Sequence, residues 1–124
     1  MKILLEGETP SKKNSRINTR SGRSFPNQRY MAWHNQVVST LNYCLASKKL
    51  ATIPEGTQVR LTAIFVHADY KRRDSDNQLS SILDTLVDAH IIPDDNWKVI
   101  PEKHIYDIYE KDKARCEIEI EVIE

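Results

Sequence analysis

The stretch RRDSDNQLSSILDTLVDAHIIPDDN, residues 72–96, decides how the rest of the chain is arranged. From about Asp76 to His90 apolar residues recur every three or four positions, which predicts an amphipathic helix. Its buried stripe is expected to consist of Leu79, Ile82, Leu83, Leu86 and Val87. The polar side repeats every four residues, so its members line up along one face: Asp76, Ser80, Asp84 and Asp88.

The aspartates at the two ends of this helix have two possible explanations. In the first, Ser75 and Gln78 form a capping box, and the aspartates after Pro93 belong to a turn. In the second they bind magnesium, a hard cation held by oxygen ligands, and the ligands are Asp74, Asp76 and Asp95. An EF-hand is excluded, because Gln78 and Leu79 stand where that loop requires a ligand and a glycine. The basic run at 71–73 favours the second explanation, since it would bring phosphate to the carboxylates.

The segments around this stretch complete an α+β pattern. Strands are predicted at 2–6, 58–67, 97–108 and 114–123, with residues 111–113 as the turn between the last two. A first helix is predicted at about 26–49, with an apolar stripe of Tyr30, Trp33, Val37, Leu41 and Cys44. The order β-α-β-α-β-β predicts a small mixed sheet with two main helices on one face.

Residues 10–28 are rich in serine, asparagine, arginine and lysine and have almost nothing to bury, so we expect a solvated, mobile basic arm. The net charge of zero hides a lopsided distribution. Residues 9–54 contain eight basic and no acidic residues, whereas residues 55–124 contain nine basic and sixteen acidic ones. The predicted DNA contacts are Lys12, Lys13, Asn14, Arg16, Arg20, Arg23, Lys71, Arg72 and Arg73.

The length of 124 residues predicts one domain spanning residues 1–124. No apolar run is long enough to cross a bilayer, and the first residues lack the pattern of a secretory signal, so a cytoplasmic location is expected. Cys44 and Cys116 are predicted to be buried free thiols, because they are 72 residues apart and lack a CxxC pattern. The four histidines have no partner at metal-ligand spacing.

Three motifs together resemble the RusA family of Holliday junction resolvases, small phage-derived endonucleases. These are RRDSDN, a helix containing LDTL, and IIPDDNWKVI; TPSKKNSR is also similar to the family's basic segment after the first strand. The resemblance implies a homodimer that nicks branched DNA, the four-way junction, using magnesium. It places Asp74, Asp76 and Asp95 as essential carboxylates, supported by Asp94, Asp84 and Asn77.

Ser80 departs from the family pattern, which has a catalytic lysine four residues after the second aspartate. Three alternatives stay open: Lys12, Lys13 or Lys71 supplies the charge, cleavage is weakened, or the protein binds branched DNA without cutting it. A fourth alternative is an interaction domain in which the aspartates serve only as helix-capping and turn residues.

The predicted helix also limits how a single chain can build the site. Fourteen helical residues span about 21 Å, whereas residues 91–95 can return at most about 17 Å. A single-chain site therefore requires a shorter or bent helix or a connection that folds back; otherwise the aspartates combine across a dimer interface.

Overall fold

A computed structural model describes residues 1–12, 16–18, 24–26 and 28–124 of the chain. Within these ranges the elements are β1 (Lys2–Glu6), β2 (Arg16–Asn18), β3 (Ser24–Pro26), α1 (Gln28–Ala46), β4 (Val59–His67), α2 (Ser75–Asp88), β5 (Glu102–Tyr109) and β6 (Arg115–Val122). The predicted α+β class and the order of its main elements are confirmed.

The main sheet is mixed and has the strand order β1-β6-β4-β5. β5 runs parallel to β4 because α2 carries the chain back across the sheet between them, whereas β6 is antiparallel to both β4 and β1. Residues 111–112 form part of the expected turn, but β4 lies between β5 and β6. The turn therefore joins two strands that are not neighbours in the sheet.

The predicted strand at 97–108 begins only at Glu102. The side chain of Asn96 accepts the backbone N–H of Lys98 at 2.9 Å, and its carbonyl accepts those of Val99 and Ile100 at 3.1 and 2.9 Å. These bonds hold residues 96–100 in a turn, because an asparagine side chain can imitate a backbone acceptor. Strand structure resumes after Pro101.

The core lies between one face of the sheet and the two helices. Alternate residues of β4 are almost completely buried, namely Val59, Leu61, Ala63 and Phe65. α2 buries Leu79, Ile82, Leu83 and Leu86 against them, while the predicted polar side carries Asp76, Ser80 and Asp88 exposed and Asp84 half-buried. The other face of the sheet is open and exposes Leu4 and Tyr106.

The first turn of α2 corrects the predicted capping box. The residue at the N-cap is Asp74 rather than Ser75, and its side chain forms no capping hydrogen bond. Gln78 does not reach back to the cap; its amide donates to the Glu8 carboxylate at 2.7 Å and to the Thr9 carbonyl at 2.8 Å. A charged acceptor binds the amide more strongly than a neutral one, which explains why Gln78 turns away from the helix end.

The last turn of α2 ends two residues earlier than predicted. His90 has a φ of 62°, its N–H donates to the Val87 carbonyl at 3.0 Å, and the N–H of Ile91 donates to the Leu86 carbonyl at 2.9 Å. This pair of bonds is the Schellman motif, which reverses the chain sharply at a helix end. Ile91 and Ile92 are buried directly after the reversal.

The basic arm contains secondary structure that its composition did not predict. β2 and β3 pair antiparallel, with Arg16 opposite Pro26 and Asn18 opposite Ser24. Four of the predicted DNA contacts lie outside the described residues: Lys13, Asn14, Arg20 and Arg23. For Arg16 only the backbone is described.

Both cysteines are free, as predicted. Cys116 is fully buried, and this burial raises the pKa of its thiol to about 12, whereas Cys44 is only partly buried. Among the described residues no helix has the length and apolarity needed to cross a membrane.

Candidate functional site: an acidic cavity beside helix α2

A cavity of about 330 Å³ opens where α1, α2 and the segment after Pro93 meet. Four carboxylates line it: Asp84, Asp88, Asp94 and Asp95. Two basic side chains, Lys12 and His34, line the same cavity. It therefore combines acidic groups from α2 and the following turn with basic groups from the start of the chain and from α1.

The reversal at His90 determines which part of α2 the second pair of aspartates faces. The chain turns back immediately after the helix, so Asp94 and Asp95 reach the cavity beside Asp84 and Asp88. Asp76 lies eight residues before Asp84, about 12 Å along the helix axis. Asp74 and Asp76 do not line the cavity and are exposed at the first turn, and Asn77 is half-buried there.

Asp95 carries negative charge that its surroundings do not neutralise. Burial raises the pKa of its carboxyl, and a hydrogen bond with Asp94 and the charges of Asp94 and Asp84 raise it further. Asp94 itself accepts the backbone N–H of Asp95 at 2.7 Å and the amide of Asn96 at 3.0 Å. A cation near Asp95 would relieve this repulsion.

Lys12 is anchored on α2 next to these carboxylates. Its backbone N–H donates to the Ser81 hydroxyl at 3.1 Å, and its Nζ lies 3.4 Å from Asp84 Oδ2. Ser80, the position of the family lysine, is exposed on the neighbouring polar face. Of the three lysines considered as replacements, Lys12 lines the cavity, Lys71 does not, and Lys13 lies outside the described residues.

His34 is a cavity residue that sequence reasoning missed. Its Nε2 lies 2.6 Å from Asp88 Oδ2, and its buried Nδ1 has no hydrogen-bond partner among the described residues. The contact joins α1 to α2 across 54 residues of sequence, so no local spacing reveals it. The available signal was the four-residue interval from Asp84 to Asp88, which identifies the polar side of α2 but not its partner.

The opposite end of α2 carries a different network, centred on Glu8. This carboxylate accepts hydrogen bonds from His67 Nδ1 at 3.0 Å and from Gln78 at 2.7 Å, and it forms a 3.2 Å ion pair with Arg73 Nε. The Nε2 of His67 bonds to Asp107 at 2.8 Å. Both ring nitrogens face carboxylates, so the imidazole must be protonated to donate to both. Burial alone would lower the pKa of His67, but the bonds to Asp107 and Glu8 outweigh it and raise that pKa.

The basic run before Asp74 divides into one half-buried member and two exposed ones. Arg73 donates to Asp69 Oδ1 at 2.8 Å, and this bond, together with the Lys71 N–H, lowers the pKa of Asp69 to about 2. Arg73 is thus held by protein carboxylates. Lys71 and Arg72 are exposed, and neither forms an ion pair with another described residue.

A magnesium ion suits the chemistry of the cavity. The cavity offers the carboxylate oxygens of Asp94 and Asp95, which form no ion pair with a described basic side chain, and hard cations prefer such ligands. Within one subunit the described carboxylates are not grouped closely enough to hold the ion. In the described ranges no group of three or more histidine, cysteine, aspartate or glutamate side chains is placed to hold one metal ion. The predicted set Asp74, Asp76 and Asp95 is not brought together at this cavity.

The cavity of this α+β domain combines four carboxylates with Lys12, and these are groups that can bind a divalent cation and a phosphate. A model of the family described as endodeoxyribonuclease RusA matches residues 6–121, nearly the whole chain, and the protein belongs to this family. The resemblance found in the sequence is confirmed, and membership implies a DNA endonuclease of the Holliday junction resolvase type, a class that typically uses a divalent metal. A search of curated proteins finds no match to the chain.

Proposed function

We propose that this protein is a magnesium-dependent, structure-selective endonuclease that resolves four-way DNA junctions by paired nicking. The observation that carries the proposal is the cavity in which Asp94, Asp95 and Asp84 face Lys12, in a chain of the RusA family. A homodimer suits this activity, because two equivalent sites related by a two-fold axis can make the paired nicks. A cytoplasmic location remains a prediction.

The metal ligands are proposed to be Asp95 together with Asp74 and Asp76, with Asp84, Asp94 and Asn77 in support. When bound, magnesium polarises a phosphoryl oxygen and offsets charge on the leaving oxygen. Asp76 and Asp84 are about 12 Å apart along α2, so they cannot ligate one ion. Asp74 and Asp76 therefore join Asp95 either through closer approach of the 94–95 segment to the first turn or from a second subunit.

Lys12 is proposed to supply the positive charge that Ser80 lacks. Its side chain is 42% exposed and its Nζ lies 3.4 Å from Asp84 Oδ2, so the ammonium can turn from this carboxylate to a phosphate oxygen that enters the cavity. Its backbone stays tied to Ser81 while the side chain moves. Asp84 would then release Lys12 as DNA binds.

The remaining predicted DNA contacts are proposed to bind phosphates: Lys13, Asn14, Arg16, Arg20, Arg23, Lys71, Arg72 and Arg73. Each phosphate contact contributes about 0.9 to the slope of log affinity against log salt on duplex DNA. Changing Lys12, Lys13 and Arg16 together to alanine should lower this slope by roughly two to three. An unchanged slope would exclude the arm from the DNA interface.

The test of the proposed function is a nicking assay on a synthetic four-way junction and on a linear duplex of the same sequence, with and without magnesium. Nicks are expected only in the junction and only with magnesium. Asp76→Asn should abolish cutting and preserve binding, whereas Asp112→Asn, in the turn before β6, should match the wild type. Cutting without magnesium, or wild-type cutting by Asp76→Asn, would refute the metal assignment.

A second candidate, a branched-DNA-binding protein that has lost cleavage, is favoured by Ser80. The two candidates differ in their response to lysine. If Lys12 supplies the charge, Lys12→Ala slows nicking about a hundredfold and Ser80→Lys in that background restores part of it. If cleavage is lost, the wild-type protein binds the junction and leaves it uncut.

A further inference from the structure

Two tyrosines form an exposed stack at one edge of the sheet. The rings of Tyr70 and Tyr109 have centroids 4.2 Å apart and planes inclined by 24°. Tyr70 is 83% exposed, more than any other large apolar or aromatic side chain in the described ranges, and Tyr109 is 42% exposed. Tyr109 therefore supports one face of Tyr70, and the Tyr70 ring remains largely open to solvent.

The stack lies at the carboxyl ends of the parallel strands β4 and β5. Tyr109 is the register partner of His67, the last residue of β4, and Tyr70 follows three residues later. Ligands of open sheets bind outside the carboxyl ends of parallel strands. The exposed side chains of Lys71 and Arg72 and the first-turn carboxylate of Asp74 follow directly in the chain.

The loop that carries Tyr70 is held by local bonds. Asp69 Oδ1 accepts the Lys71 N–H at 2.9 Å and Arg73 Nη1 at 2.8 Å, and Arg73 also donates to the Lys71 carbonyl at 3.2 Å. The same arginine is paired with Glu8 at 3.2 Å. Tyr70 is thus presented on a pre-organised turn, which reduces the entropy lost when a ligand binds.

We propose that Tyr70, backed by Tyr109, is a stacking platform for an unpaired or unstacked nucleobase at the branch of the DNA, an inference that rests on the proposed function. Within a continuous duplex both faces of each base are covered by neighbours. At a branch the stack is interrupted and a base face becomes available, so an aromatic ring flanked by Lys71 and Arg72 selects branched over linear DNA.

The experiment compares Tyr70→Ala with Tyr70→Phe, and uses Tyr43→Ala as the matched control, because Tyr43 is also an exposed tyrosine (68%) but lies on α1. Affinities are measured without divalent metal at constant salt, for a four-way junction and a linear duplex. The junction carries 2-aminopurine, whose fluorescence is quenched by stacking, at its branch.

Tyr70→Ala should weaken binding to the junction roughly 5- to 150-fold, leave binding to the duplex unchanged and lose the quenching. Tyr70→Phe and Tyr43→Ala should behave as the wild type. Equal junction affinity and equal quenching in Tyr70→Ala would overturn the platform while leaving the proposed function intact. Failure of the wild-type protein to prefer the junction would instead overturn the proposed function. Equal weakening on both DNAs would show that Tyr70 is a general contact and would also overturn the inference.

Discussion

The two ends of α2 both gather carboxylates, but they differ in how the negative charge is balanced. At the first turn Glu8 binds His67, Arg73 and Gln78, and every one of these partners is a donor. Near the last turns of α2, the carboxylate of Asp95 lies beside two other carboxylates, those of Asp94 and Asp84.

The pKa values at the two ends move in opposite directions for this reason. Hydrogen bonds from Arg73 and the Lys71 N–H lower the pKa of Asp69 to about 2, whereas burial, Asp94 and Asp84 raise that of Asp95. The difference teaches that a count of aspartates does not locate a cation site. Carboxylates without a compensating donor are the better indicator, and in the cavity Asp95 is such a group, whereas Asp84 pairs with Lys12 and Asp88 with His34.

The largest expected effect is on nicking, and it tests Asp95, the carboxylate that lies among other carboxylates near the end of α2. Asp95→Asn should reduce nicking about a hundredfold or more, because an amide is a weaker ligand for a hard cation than a carboxylate. The raised pKa means that ionisation of Asp95 disfavours the folded state as the pH rises through that pKa. The melting temperature at neutral pH should therefore stay the same or rise. A variant that loses both activity and stability would show that Asp95 has a structural role.

A smaller effect, on the stability of the fold, is expected at the first turn of α2, where three donors surround Glu8. Glu8→Gln removes the charged acceptor of His67, Arg73 and Gln78 and should lower the free energy of unfolding by roughly 2 kcal/mol. Urea unfolding measures this change. Glu6→Gln, an exposed residue of β1, is the control and should stay within about 0.5 kcal/mol of the wild type. Equal stability of the two variants would remove the contrast between the ends of α2.

The pH dependence of stability sharpens the same contrast. The folded-state pKa of His67 is raised, so its contribution is fully present below the unfolded value near 6.5 and is lost as the pH rises through the folded value. Between about pH 6 and about pH 9 the wild type should lose on the order of 1 kcal/mol more than His67→Gln. His104→Gln, an exposed control on β5, should follow the wild type. Parallel curves for His67→Gln and the wild type would contradict the protonated bridge.

The smallest effect concerns the reversal that brings Asp94 and Asp95 to the cavity. His90 occupies a left-handed conformation with a φ of 62°, which glycine adopts without strain. His90→Gly should stabilise the fold by about 0.5 kcal/mol, the strain relieved being partly offset by a more flexible unfolded chain. Thermal unfolding is the measurement. Destabilisation would mean that the His90 side chain contributes contacts beyond the turn.

The fold was largely predictable because its elements have strong periodicities. The alternation at 59–67 and the stripe of α2 each place apolar residues on one side, and both elements were expected within two residues of their observed ends. The position of β4 between β5 and β6 was not predictable, since a turn sequence such as KDK does not reveal whether the strands it joins are neighbours. The predicted capping box was wrong because the side chain of Gln78 binds a distant partner, Glu8.

The site was predicted only in part. The sequence identified Asp84, Asp94 and Asp95, which share the cavity, and gave Lys12 as one replacement for the family lysine. It raised the distance between Asp76 and the second pair of aspartates as a difficulty, but it did not identify the contact of His34 with Asp88. The position of Asp94 and Asp95 depends on how the chain turns after α2, and His90, a left-handed residue at the helix end, sets that turn.

The pairing of β1 with β6 sets when this domain can assemble during synthesis. β1 is made well before β6, which is its one partner among the described strands of the main sheet and whose register with it begins at Arg115. At typical translation rates about 110 further residues require on the order of 10 s. Throughout that interval the apolar side of β1, with Ile3 and Leu5, has no partner strand, so a ribosome that stalls before β6 releases a chain with an unpaired strand for chaperones or proteases.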